Sequence, residues 1–173
     1  MSDTNELISF IASMSGEGNL RVEENLGEGF VRLRVSEAER RQAKHDIQHV
    51  EDIVIEMLRN ARDAGATRIY VATAKEEGTR SLLFLDNGCG VPEDMRERIF
   101  DARVTSKLES MKMDRWGVHG RGMALFSIRQ NVDDVEVVAS GKDLGSSFKV
   151  LVNTEVLNER ADQSTWPIAS KDE

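Results

Sequence analysis

Three polar residues in one helical stretch carry the clearest chemical potential of the chain: Glu56, Asn60 and Asp63. The apolar residues Ile47, Val50, Ile53, Val54, Met57, Leu58 and Ala61 recur at three- and four-residue steps, predicting one long helix from about Ser36 to Ala64. Gly65 ends it, in the place where a left-handed glycine closes a helix. At about 100° per residue, with Ile53 as origin, Glu56, Asn60 and Asp63 fall together at roughly 280° to 340°, beside the apolar stripe and not opposite it. Two carboxylates and an amide therefore border the core, where a cleft can form. Glu56 has the chemistry to orient or deprotonate water, and Asn60 offers an amide oxygen to a hard cation such as Mg2+. The same spacing also describes a plain solvated face, and the helix alone does not choose.

Two further segments bear on that choice. Asp86-Asn87-Gly88-Cys89-Gly90 follows the apolar run Leu82–Leu85, so Asp86 falls at a strand end, with glycines that allow a tight turn and close approach to a flat ligand. A carboxylate there can accept a hydrogen bond from an exocyclic amine such as that of adenine, although an Asn-Gly hairpin turn fits the same letters. Further on, Gly117-Val118-His119-Gly120-Arg121-Gly122 precedes Met123 and an apolar helical stretch. Glycines leading into a helix N-terminus expose backbone N–H groups to an anion, and His119 and Arg121 add charge. No G-x-x-x-x-G-K-[ST] sequence is present, and a polar loop precedes the glycines where a dinucleotide fold needs a strand.

The elements that must position these residues come in mixed order. Residues 20–23 and 29–35 flank a Leu-Gly-Glu-Gly turn and read as a hairpin; Ile69–Ala74 and Leu82–Leu85 form strands around Glu-Glu-Gly-Thr; Glu93 to Phe100 reads as a short helix after Pro92. Residues 101–116 have no clean period, a second core helix starts near Gly120 or Arg121, and Val135–Ala139 and Ser147–Val152 close the chain as strands. This order predicts an α+β two-layer sandwich, with helices on one face of a mixed, mostly antiparallel sheet.

Read together, the segments resemble the GHKL superfamily of ATP-binding domains with the Bergerat fold, whose members include gyrase B subunits, MutL proteins, large heat-shock chaperones, topoisomerase VI B subunits and sensor histidine kinases. Glu56 to Thr67 is similar to the first motif, Asp86 to Gly90 to the second, Gly117 to Leu125 to the third, and Gly145-Ser146-Ser147 approximates the fourth. The resemblance implies ATP and Mg2+ as ligands. Glu56 is then the general base, Asn60 the metal ligand and Asp63 an acidic support of the site. Asp86 reads adenine, with Gly88 and Gly90 in its turn, and Ser146 or Ser147 holds a bridging water. Residues 101–122 become an ATP lid, with Gly120 and Gly122 at the phosphates and Lys107 a candidate phosphate contact, and Gly117, His119, Arg121 and Met123 join the nucleotide-binding set. Thr105-Ser106-Lys107 resembles the T-S-K of MutL-type lids. The implied activity is slow ATP hydrolysis, coupling nucleotide state to lid closure and to association with a partner or second subunit. The alternatives are a protein kinase module, histidine-kinase-like or of anti-sigma type, that passes the γ-phosphate to a partner, and a regulatory binder without turnover. His45 and His49, on the same predicted helix as Glu56, cannot swing to their own site, which argues against autophosphorylation.

Composition sets the outer limits. The 173 residues suit one domain, 1–173, with an N-terminal arm over 1–19 and a polar tail over 159–173. With 23 basic and 31 acidic side chains the formal charge is −8, which disfavours direct nucleic-acid binding. The single cysteine excludes an intrachain disulfide, and no apolar run approaches the roughly 18 residues of a membrane span. The opening Met1-Ser2-Asp3-Thr4-Asn5-Glu6 lacks signal-peptide character, so a cytoplasmic location is expected.

Overall fold

A computed structural model describes residues 22–106, 113–114, 117–118 and 122–160. The predicted 1–19 arm, half of the 101–122 lid and the tail beyond Arg160 lie outside the described residues.

The first hairpin joins β1 (Val22–Gly27) to β2 (Phe30–Leu33), and β5 (Val104–Thr105) adds to β2 as a third antiparallel strand. A four-stranded sheet forms the main layer: β3 (Ile69–Glu76), β4 (Thr79–Asp86), β8 (Asp134–Ser140) and β9 (Ser146–Asn153), in the order β3-β4-β9-β8. Two short strands, β6 (Met113–Asp114) and β7 (Gly117–Val118), pair between these sheets in sequence. The helices are α1 (Glu37–Asp46), α2 (Val50–Asp63) and α3 (Ala124–Asn131). The α+β layering is as the sequence predicts. Every strand pairing among the described residues is antiparallel.

Alternation along β4 and β9 explains which face is covered. Leu82 and Phe84 on β4, with Phe148, Val150 and Val152 on β9, point to the helices and are buried. They meet Val50, Ile53 and Met57 of α2 and Ile128 of α3 in one core, which Met95, Ile99 and Phe100 extend. Phe100 and Phe148 meet edge to face, with ring centroids 6.4 Å apart.

Two expected helices are built differently. The single helix over Ser36 to Ala64 is broken: α1 ends at Asp46, Ile47 is extended, and α2 starts after His49. Each half has its own polar start. Ser36 accepts from the Glu39 N–H while the Glu39 carboxylate accepts from the Ser36 N–H, a reciprocal cap. Asp52 accepts from the N–H groups of Gln48 and His49, at 3.0 and 2.9 Å, and so terminates the upstream turn. His45 therefore belongs to α1 and His49 to the junction, which corrects their placement on the helix of Glu56. The stretch Glu93–Phe100 is two 3-10 turns, Glu93–Met95 and Arg98–Phe100, rather than one α-helix. The third helix begins at Ala124, later than Gly120 or Arg121.

Candidate functional site

The N-terminal end of α3, the carboxyl half of α2 and the ends of β4 and β9 enclose a cavity of about 460 Å³, within the range of small-molecule sites. One wall is the border of α2. Glu56, Asn60 and Asp63 all line the cavity, as expected for residues beside the apolar stripe. Glu56 is held by Arg59, one turn further along α2, with Nη1 2.5 Å from Oε1. Asp63 accepts from Arg62 at 3.1 Å.

Asp86, the last residue of β4, lines the cavity with Ser146. Its Oδ1 accepts the Gly88 N–H at 2.8 Å. The loop after it is fastened to the end of α2. Cys89 N–H donates to the Ala64 carbonyl at 2.9 Å, and the Asn87 side chain accepts from Thr67 and Arg68 N–H groups while donating to the Thr67 hydroxyl. The strand end bearing Asp86 and the helix bearing Glu56, Asn60 and Asp63 are thus one hydrogen-bonded unit. Asn87 is the residue that sequence reasoning passed over; its place directly after a strand-end Asp, in an Asx-type turn, was the available signal.

The glycines of this loop serve backbone packing. A Cβ on Gly88 would stand 2.8 Å from the Ala64 oxygen. Gly90, at φ +71°, has no room for a Cβ, which would fall 2.0 Å from the Gly141 oxygen. Gly90 does line the cavity, but its missing side chain admits the β8–β9 connection rather than a ligand.

Gly122, Met123, Ala124 and Leu125 bring the start of α3 to the cavity, and among the described residues no side-chain cap is seen at its N-cap, Met123. Its first N–H groups are donors without intrahelical partners. Gly122 donates space as well: a Cβ there would lie 2.5 Å from the Val104 oxygen. Gly117 opens β7. Lys107, His119, Gly120 and Arg121 lie outside the described residues.

Of the two serines, Ser146 shares the inward face with Phe148 and lines the cavity; Ser147 is on the other face of β9 and does not. Asp46, Arg59, Cys89, Thr105, Ser106 and Ser127 line it too. Neither His45 nor His49 does. Among the described cavity residues the carboxylates of Asp46, Glu56, Asp63 and Asp86 face a single cationic side chain, Arg59, itself paired to Glu56. Among the described residues no group of three or more His, Cys, Asp or Glu is arranged to hold a metal ion. No helix among them is long and apolar enough to cross a membrane.

A helix N-terminus, a strand-end aspartate and a helix border of Glu, Asn and Asp around one cavity define an α+β ligand-binding domain suited to a phosphate-bearing ligand. Residues 47–172 match the family model described as histidine kinase-, DNA gyrase B-, and HSP90-like ATPase, and the chain belongs to that family. It is 37% identical over 107 residues to the DNA mismatch repair protein MutL of Brucella abortus (strain S19), covering 61% of this chain and 17% of that protein. Against MutL of Chlorobium phaeobacteroides (strain BS1) it is 33% identical over 123 residues, covering 70% and 19%. The chain thus spans under a fifth of the length of these curated relatives. Two solved structures are also similar: a mycobacterial sensor histidine kinase, MprB (TM-score 0.38, 12% identity, covering 86% of this chain and 93% of that one), and the catalytic domain of the histidine kinase ThkA (TM-score 0.41, 18% identity, 86% and 92%).

Proposed function

We propose that the chain is an ATP-binding domain that holds ATP with Mg2+ in this cavity and hydrolyses it slowly. The observation that carries the reading is the meeting of Glu56, Asn60 and Asp63 on one wall with Asp86 and the N-terminal end of α3. Asp86 accepts a hydrogen bond from the adenine amine, beside the apolar surface of Met57, Val91 and Ile99. The first N–H groups of α3, which have no intrahelical acceptor, receive phosphate oxygens. Asn60 is the residue to hold Mg2+, which suits an ion that keeps several waters and takes few protein ligands. Bound there, the ion supplies charge neutralisation to the phosphates. An acid-rich cavity fits such a pair of ligands better than the nucleotide alone, because the carboxylates would repel an uncompensated polyphosphate.

Glu56 accepts the proton of the attacking water, and Arg59 fixes the carboxylate on the cavity side of α2. Residues 101–122 serve as a lid whose closure completes the phosphate contacts and couples nucleotide state to association with a partner or second subunit. The domain mixes slow turnover with tight positioning because an open lid admits water. The likeness to MutL supports a role as an ATP-driven switch in a larger assembly, with the nucleic acid held elsewhere, given the −8 charge of the chain. Calorimetric titration of ATP with Mg2+, followed by phosphate release on the same sample, tests the reading. Saturable binding with phosphate release is expected; absence of any ATP binding by the folded protein overturns it.

A further inference from the structure

Among the described residues the main sheet has two edges without a strand partner, and they are not alike. On β8, the edge is interrupted by a bulge between Val137 and Ala139 and carries Asp134 and Glu136, devices that discourage strand addition. On β3, Ile69-Tyr70-Val71-Ala72-Thr73-Ala74 runs in unbroken register with β4, without proline, glycine or charge. Tyr70 is 63% exposed and Val71 41%. Its one lysine, Lys75, is engaged by Glu159 at 2.9 Å and does not guard the edge.

The hydrogen bonds fix which backbone groups look outward. Asn87 N–H donates to the Arg68 carbonyl, so Arg68 turns its backbone toward β4, and so do the even-numbered residues after it. Ile69, Val71, Thr73 and Lys75 therefore present their N–H and C=O groups along the free edge, and these have no hydrogen-bond partner among the described residues.

We propose that β3 pairs with β3 of a second copy of this chain, antiparallel about a twofold axis at Ala72, to make one continuous eight-stranded sheet from two four-stranded ones. The charges select this occupant and this register. Antiparallel partners must match outward with outward residues, so the axis can pass only through a residue, with shifts of two. About Ala72, Val71 faces Thr73 and Ile69 faces Lys75, each pair exchanging both backbone bonds. Tyr70 faces Ala74, and Arg68 faces Glu76 on both sides of the axis. Neither Arg68 nor Glu76 has an ion-pair partner within its own chain among the described residues. An axis at Val71 would set Arg68 against Ala74, and one at Thr73 would set Glu76 against Tyr70, so both forfeit the charge match. At the axis itself, Ala72 against Ala72 forms the closely spaced pair, where a small side chain fits.

Sedimentation velocity of the full chain without nucleotide, over a wide concentration range, tests this independently of the ATP reading. A concentration-dependent monomer–dimer equilibrium is expected. Thr73→Pro removes an outward N–H and leaves the β3–β4 ladder intact; losing two symmetry-related bonds should weaken dimerisation about thirtyfold. Arg68→Glu and Glu76→Arg should each weaken it, and the double swap Arg68→Glu/Glu76→Arg should restore it. Circular dichroism and melting confirm that the variants fold, and the charge swap stands should the proline variant unfold. A chain that stays monomeric throughout, or a dimer indifferent to both the proline and the charge swaps, overturns the proposal.

Discussion

Asp86→Asn is the sharpest test of the nucleotide reading because the structure dictates how the new amide must sit. In the native chain Oδ1 accepts the Gly88 N–H at 2.8 Å, and no donor among the described residues engages the other oxygen. An asparagine must keep its oxygen toward Gly88, since the opposite orientation sets two donors against each other. Its NH2 then replaces the second carboxylate oxygen on the cavity side, where the adenine amine would meet a donor. The loss comprises a charge-assisted hydrogen bond, about 1.5–3 kcal/mol, and an unsatisfied donor, about 1–3 kcal/mol. Together these raise Kd for ATP by about 10² to 10⁴. Selectivity should change with it: guanine presents a carbonyl in place of the amine, so the wild type prefers ATP to GTP and the variant narrows or reverses that preference. Titration calorimetry with Mg2+ and either nucleotide measures both effects. The melting temperature should barely move, because the bond to Gly88 survives. Binding of ATP by Asp86→Asn within about threefold of wild type, by a normally folded protein, would refute the reasoning.

Other perturbations separate chemistry from architecture. Glu56→Ala should keep ATP affinity within a few-fold and lower phosphate release by about 10² to 10⁴, as expected for loss of a general base. Gly90→Ala drives a Cβ to within 2.0 Å of the Gly141 oxygen at φ +71°, and chemical denaturation should show a loss of about 3 kcal/mol or more. Gly65→Ala, at φ +74° but in open space, should cost only about 1 kcal/mol in the same assay. Glu159→Gln leaves Arg80, whose side chain is only 10% exposed, without its carboxylate 2.5 Å away, and should cost about 3 kcal/mol. Burial pushes the Glu159 carboxyl up, but the bonds from Lys75 and Arg80 more than offset it, so its pKa lies below the usual value. A carboxylate depressed in the folded state stabilises fully above its unfolded pKa, about 4.3, and that contribution fades as pH falls through the lower folded value. Melting curves between pH 6 and 3 should therefore drop more steeply for wild type than for Glu159→Gln.

What the sequence disclosed depended on how local the cause was. The border position of Glu56, Asn60 and Asp63 follows from helical period alone, and Asp86 at the end of β4 follows from the apolar run before it. The break between α1 and α2 was hidden because Ile47, Val50 and Ile53 keep a three-residue step across it, so the pattern of burial continues while the backbone does not. The signal was polar: Asp52, placed to collect the N–H groups of Gln48 and His49. The choice between Ser146 and Ser147 was legible from strand alternation, since Phe148, Val150 and Val152 put even positions inward. The work of Gly90 was not, because Gly141, the backbone that its hydrogen atom admits, is remote in sequence and arrives only through the sheet.

The same contacts explain why α2 suits a reactive residue. Its last turn is tied to the Asp86 loop through Cys89 N–H and the Ala64 carbonyl, and Asn87 clasps Thr67 and Arg68 just beyond. Its first turn is tied by the chain after β9: the Asn158 carbonyl accepts from Val50 N–H, Arg160 N–H donates to Glu51, and the Arg160 guanidinium lies 2.7 Å from Asp52. Between them Glu159 anchors that chain to Arg80 and Lys75 on the sheet. Glu56 and Asn60 thus ride on a helix fixed at both ends to the same sheet, whereas the Gly122 side of the cavity is joined to β5 through the Arg103 N–H bond to the Gly122 carbonyl and a glycine at φ +68°. Rigid support suits the roles proposed for Glu56 and Asn60, where small displacements are costly to reactivity.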